Sequence, residues 1–77
     1  MDALRAAGAE VTSLHQLGQG VPDLLVSFRG VWHVAEVKSD VGHLTDPQNE
    51  WIDKQKAVVY VWHTPAEALR DIGLSPS

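Results

Sequence analysis

The chain has 77 residues, 44 % of them hydrophobic, and a formal net charge of −4. This length fits one small domain, residues 1–77, and the composition gives no indication of disorder. With no cysteine, neither disulfides nor a thiolate zinc site can stabilise the domain, and six basic residues are few for a surface that tracks phosphates by charge alone. No apolar run approaches the roughly 20 residues of a membrane span, and no signal peptide is recognisable, so we expect a cytoplasmic protein without a membrane partner.

The first half of the chain predicts a short helix followed by three strands. The helix covers about 2–7 and ends at Gly8, and the strands cover about 11–14, 23–28 and 31–38. A loop at 16–20 contains Gly18 and Gly20, which permit positive φ and a close backbone approach. Pro22, which lacks an N–H, suits the start of the second strand.

The second half predicts a helix, a strand and a final helix. Thr45 and Gln48 have the spacing of a capping box, so a helix begins there and runs to about Gln55. Residues 57–62 form a nearly continuous apolar strand, which we expect to be buried on both faces. Thr64 and Glu67 repeat the capping pattern before a helix that stops at Gly73.

These elements predict an α/β fold with the order α-β-β-β-α-β-α. A helix that connects the third and fourth strands makes those two strands parallel neighbours in a mixed four-stranded sheet. One face of the second and third strands is apolar, which predicts that the core lies on that side; its residues are Leu24, Val26, Phe28, Ala35 and Val37.

On the other face, carboxylates of two neighbouring strands oppose each other. A two-residue turn at Arg29 and Gly30 sets a hairpin register in which Asp23 lies directly opposite Glu36. Like charges in that position repel each other, so a cation between them would stabilise the pair. Strand alternation places Lys38 on the same face as Glu36. Two carboxylates and a lysine on one polar face predict a metal-dependent hydrolytic site.

The order of elements and these motifs together resemble the PD-(D/E)XK nuclease superfamily, with its minimal restriction-endonuclease-like core. The chain is most similar to the VRR-Nuc domain, in the short standalone form found in phages and bacteria. The resemblance covers about residues 5–73. It rests on the segments GVPDLLV (20–26), EVK (36–38), LTDPQNEW (44–51), VVYV (58–61) and TPAEAL (64–69).

The resemblance implies a Mg²⁺- or Mn²⁺-dependent endonuclease that hydrolyses DNA phosphodiesters, with no small-molecule cofactor. Asp23, Glu36 and the carbonyl of Val37 would bind the metal. Lys38 would orient the attacking water or stabilise charge on the phosphate, and Gln48 would support the site. Standalone members are expected to act as homodimers on branched DNA such as four-way (Holliday) junctions. Gln19 is a candidate for a contact to the DNA backbone.

One departure from the family pattern concerns an acidic residue in the first helix that contacts metal in many members. Here the candidates are Asp2, at the terminus, and Glu10, beyond the helix; either could substitute, or the position is empty. The four histidines have no metal-ligand spacing, and His43, although it follows the site strand, fits a solvated loop residue.

Two alternative functions remain open. A catalytically weak nuclease-fold module that binds DNA or a protein partner would fit the net charge and the missing acid. A hydrolase of another phosphate ester would use the same carboxylates.

The sequence also predicts a homodimer. A thin single-layer core leaves the apolar fourth strand and the tryptophans Trp32, Trp51 and Trp62 with more apolar surface than one small domain covers. We expect these tryptophans to pack in the core or at a dimer interface rather than to stack on bases.

Overall fold

The computed structural model describes residues 2–39 and 41–74. The predicted order of elements is confirmed, with the addition of a 3₁₀ turn at His15–Leu17 inside the predicted loop. The helices and strands are α1 (Asp2–Ala6), β1 (Glu10–Ser13), β2 (Leu24–Phe28), β3 (Val31–Val37), α2 (Asp46–Asp53), β4 (Val59–Trp62) and α3 (Pro65–Asp71). None of the described helices is long and apolar enough to cross a bilayer.

The four strands form one mixed sheet in the order β1-β2-β3-β4. β1, β2 and β3 are antiparallel neighbours, and β3 and β4 are parallel, as predicted. The β2–β3 turn contains two residues, Arg29 and Gly30, whose φ angles of 50° and 79° suit the tight turn of a right-twisted hairpin. Phe28 therefore pairs with Val31, which is the register expected from the sequence.

One face of the sheet, the core face, packs against α1 and α3. Leu4 of α1 and Ala68 of α3 are buried against it, which confirms the predicted side of the core. The Trp62 indole anchors α3 by donating a hydrogen bond to Asp71 Oδ2 at 2.9 Å. The buried apolar residues are Leu4, Ala9, Val26, Phe28, Ala35, Trp62, Ala68 and Ile72.

The prediction that β4 is buried on both faces was wrong. β4 lies at the edge of the described sheet, and Trp62 is its one buried residue, whereas Val59, Tyr60 and Val61 are half-buried. An apolar run does not distinguish a central strand from an edge strand whose outer surface is uncovered. Of the other tryptophans, Trp51 is half-buried and Trp32 is 68 % exposed.

Both predicted N-caps are present, although only one capping box is complete. Thr45 caps α2, and Gln48 completes the box. α2 ends at Asp53, two residues before the predicted end, with Lys54 as its C-cap. At α3, Thr64 Oγ1 accepts the backbone N–H of Glu67 at 3.2 Å, but the Glu67 carboxylate accepts the N–H of His63 rather than that of Thr64.

Candidate active site

Asp23 and Glu36 meet on the face of the sheet opposite the core, which we call the site face. Asp23 directly precedes β2, and the pairing of Leu24 with Ala35 continues to place Asp23 opposite Glu36. The Asp23 carboxylate is held in place by the backbone N–H of Val37, which donates to Oδ2 at 3.2 Å. The hairpin turn thus sets the position of both carboxyl groups.

Glu36 is a buried carboxyl group, with only 2 % of its surface exposed. Its Oε1 accepts a hydrogen bond from Gln48 Nε2 at 2.8 Å, whereas its buried Oε2 has no partner among the described residues. Burial raises the pKa of Glu36 above its ordinary value and the adjacent Asp23 raises it further, while Lys38 lowers it. A buried carboxylate oxygen without a partner is costly unless a proton or a cation compensates it.

Lys38 follows β3 and lies on the site face, as alternation predicted. Its Nζ is 3.6 Å from Glu36 Oε1, and its side chain is only 16 % exposed. The backbone N–H of Lys38 donates to the carbonyl of Trp62 at 2.9 Å, which extends the β3–β4 pairing by one residue. Lys38 is therefore held at the site by its backbone as well as by its charge.

Gln48 connects the start of α2 to the site. Its Oε1 accepts the N–H of Thr45 at 2.9 Å, and its Nε2 donates to Glu36. One amide thus serves both functions: its oxygen caps the helix and its nitrogen contacts the site. This amide occupies Glu36 Oε1 and leaves Oε2 without a partner.

A cleft of about 630 Å³ opens above these residues. Its floor is formed by residues 23 and 36–38, and one wall by Thr45, Pro47 and Gln48 at the start of α2. His15 and residues 18–21 complete the lining and form a second wall. The two walls touch at Gly20, where an added Cβ would lie 2.1 Å from the carbonyl oxygen of Pro47. This is the close backbone approach that the glycine permits.

Neither candidate for the first-helix acid reaches the cleft. The Asp2 side chain is fully exposed and pairs weakly with Arg5, at 4.0 Å. Glu10 is exposed and opposite Ser27, at the far end of β2 from Asp23. Within residues 2–39 and 41–74, no group of three or more His, Cys, Asp or Glu residues is arranged to hold a metal ion. The site accordingly contains two carboxylates and no third acid from the described chain.

His15 is a cleft residue that the sequence did not indicate. The end of β1 is fixed beside the site because the N–H of Leu14 donates to the carbonyl of Asp23 at 2.6 Å. His15 follows at once in the 3₁₀ turn and lines the cleft. Knowledge of the β1–β2 register would have placed His15 beside the site, but the long connection between these strands does not specify that register. His43, by contrast, is exposed and is not among the lining residues.

The donor set of the cleft suits a hard divalent cation. Asp23, Glu36 and the Val37 carbonyl offer oxygen ligands, which Mg²⁺ and Mn²⁺ prefer, and Lys38 adds one positive charge beside them. The sequence matches no family model, and no significant match is found among curated proteins or solved structures. The resemblance to the VRR-Nuc domain thus remains a prediction that rests on the residues themselves.

Proposed function

We propose that this protein is a metal-dependent endonuclease that hydrolyses DNA phosphodiester bonds, built on a minimal PD-(D/E)XK core of the VRR-Nuc type. The observation that supports it best is the unpartnered Oε2 of the buried Glu36, beside a second carboxyl group, Asp23. Without metal, a proton on Glu36 that is shared with Asp23 would compensate the pair, since burial and Asp23 raise the pKa of Glu36. A cation would compensate it while both groups stay ionised.

Asp23, Glu36 and the carbonyl of Val37 would hold a Mg²⁺ or Mn²⁺ ion. When bound, this ion polarises the scissile phosphate and lowers the pKa of a water molecule. Gln48 keeps the Glu36 carboxylate in one orientation through its hydrogen bond. Lys38 stabilises the negative charge that develops on the phosphate as the water attacks phosphorus in line.

The substrate is proposed to be branched DNA, cut by a homodimer. The support for a dimer is the apolar character of the site face: Trp32 is 68 % exposed on it, and Val34 and Val59 beside it are half-buried. A two-fold axis at the end of this face where Trp32 pairs with Ser27, away from Asp23, would leave both clefts open and hold them at a fixed separation. Such an arrangement suits one cut on each of two strands.

A second candidate is a module that binds DNA or a protein partner and cleaves weakly or not at all. The absence of a third acid among the described cleft residues favours this candidate, as does the net charge of −4. It predicts DNA binding without hydrolysis in the presence of Mn²⁺.

The deciding experiment incubates purified protein with Mn²⁺ and either supercoiled plasmid or a four-way junction. We expect plasmid relaxation, since an endonuclease needs no free end, and we expect preferential cutting of the junction.

Lys38→Ala and Glu36→Ala should lower the rate of DNA cleavage at least about 100-fold. Lys54→Ala is the matched control, because Lys54 is exposed at the end of α2 and outside the cleft. Full activity of Glu36→Ala would refute the mechanism, and binding without cleavage by the wild type would favour the second candidate.

A further inference from the structure

Besides the start of α2, the cleft is bounded by the segment 15–20, which we call the loop wall. Its cleft-lining residues are His15, Gly18, Gln19 and Gly20. We propose that the loop wall holds the DNA strand, with the His15 imidazole and the Gln19 amide donating hydrogen bonds to backbone phosphates next to the scissile bond. This inference rests on the proposed function and specifies the path of the substrate across the site.

Neither wall has a charged residue in its lining, but acids lie close to only one of them. Helix α2 carries three exposed acids, Asp46, Glu50 and Asp53. The sequence from Leu14 to Pro22 contains no acid, and its polar side chains can donate hydrogen bonds. The three acids of α2 lie outside the cleft lining, whereas the loop wall presents hydrogen-bond donors within it to a polyanion that reaches Lys38.

Gln19 is the first central residue of a tight turn, which the N–H of Val21 closes by donating to the carbonyl of Gly18 at 3.0 Å. Its φ of 54° lies in the left-handed region, between Gly18 at 61° and Gly20 at 82°. Residues other than glycine rarely adopt this conformation, and glycine would adopt it without strain. The Gln19 side chain is exposed and makes no hydrogen bond within the described residues. The Gln19 amide thus lines the cleft without a partner in the described fold, and its N–H groups can donate to a ligand.

His15 is held beside the site by its backbone, while its ring has no hydrogen-bond partner in the described part of the chain. Its N–H donates to Ser13 Oγ at 3.3 Å. The imidazole lines the main cleft and also a smaller adjoining cavity of about 370 Å³, which Asp23 and Val37 line as well. Both nitrogens of the ring are therefore available to a strand that crosses the mouth of the cleft.

The test measures binding of a fluorescein-labelled four-way junction in Ca²⁺ by anisotropy, with Mn²⁺-induced shifts in melting temperature measured in parallel. His15→Ala should raise the Kd about three- to ten-fold, the loss expected for one phosphate hydrogen bond, and His15→Gln should restore most of the affinity. Gln19→Gly should weaken binding by a similar factor and raise the melting temperature, because it removes both a contact and a strained residue. His43→Ala, an exposed histidine outside the cleft, should leave the Kd unchanged.

The outcomes separate this inference from the proposed function. A wild-type protein that binds no DNA would overturn both. If the wild type binds DNA and the Kd is unchanged in His15→Ala and Gln19→Gly, the proposed DNA contacts of the loop wall are refuted. The proposed function would still stand. The Mn²⁺ shift should persist in His15→Ala, and its loss would make His15 a metal ligand rather than a contact to DNA.

Discussion

At the scale of single residues, Glu36 is the most informative position. A glutamate in a β-strand is ordinarily exposed or paired on both oxygens, whereas here Gln48 and Lys38 share Oε1 and Oε2 is left buried. Burial and the adjacent Asp23 both favour the protonated form. The free energy of unfolding in the absence of metal must therefore depend on the ionisation of this one group.

We predict that Glu36 makes the metal-free protein less stable as the pH rises. Since the pKa of Glu36 is raised in the folded state, its favourable contribution is complete below the ordinary value of 4.5 and is lost as the pH rises through the folded-state value. Glu36→Gln cannot ionise, so it should be more stable than the wild type at neutral pH, and the difference should vanish in acid. Melting in EDTA between pH 4 and 8 measures this. Glu50→Gln, an exposed carboxyl on α2, serves as the control, and parallel pH profiles of wild type and Glu36→Gln would contradict the prediction.

A bound divalent cation should raise the free energy of unfolding, whereas the buried charge of the ionised Glu36 lowers it. Mn²⁺ at about 100 times its Kd should stabilise the wild type by about 2.7 kcal/mol, because it binds the native state alone. Asp23→Asn keeps an acceptor for the N–H of Val37 but loses the charge, so most of this shift should disappear. Glu10→Gln should behave as the wild type does, because Glu10 lies at the far end of β2 from the site. Differential scanning fluorimetry measures the Mn²⁺-induced shift in melting temperature for the three proteins. Equal shifts in Asp23→Asn and the wild type would place the ion at another site.

At the scale of elements, turn and capping residues predicted the features that depend on neighbouring residues alone. The Arg29–Gly30 turn fixed the β2–β3 register, and with it the opposition of Asp23 and Glu36. The capping box fixed the start of α2 and hence the position of Gln48. His15 and the partial exposure of β4 could not be predicted in this way, because both depend on how distant segments pack.

The contact between Gly20 and α2 is a second case of packing between distant segments, and it gives a stability prediction. Gly20→Ala would place a Cβ against the rigid Pro47 carbonyl, at a φ of 82°. We expect a loss of about 3 kcal/mol, of which about 1 kcal/mol comes from the φ angle alone. Gly30→Ala isolates that smaller part, because nothing lies within 4 Å of its added Cβ at a φ of 79°, close to that of Gly20. Urea unfolding measures the free energy of unfolding of the two variants. Equal losses would mean that the contact between Gly20 and Pro47 contributes nothing to stability.

At the scale of the whole molecule, the two faces of the sheet are covered unequally. α1 and α3 bury the core face, whereas the site face is half-covered: Leu25, Val34 and Val61 are half-buried and Trp32 is exposed. A small domain with such a surface gains stability when a second copy covers its apolar end around Trp32, away from Asp23.

We therefore expect a dimer in sedimentation at micromolar concentration. Trp32→Lys should yield a monomer, because it places a charge on the apolar part of the site face. Val41→Lys, at a loop position that is 82 % exposed, should remain dimeric. A wild-type monomer with full nuclease activity would exclude the dimer and weaken the proposal of paired cuts.

The attachment of α2 has a consequence for how the protein opens. No residue of α2 is fully buried; the helix is held by the Gln48–Glu36 hydrogen bond, by the contact with the loop at Gly20 and by the half-buried Trp51 and Ile52. Local unfolding of α2 therefore disassembles the site, and ligation of Glu36 must in turn slow that unfolding. Amide hydrogen exchange in α2 should become slower when Mn²⁺ is added, while exchange in α3, which is anchored in the core through Ala68, should change little. The helix would then be a segment whose order depends on whether the site holds a metal ion.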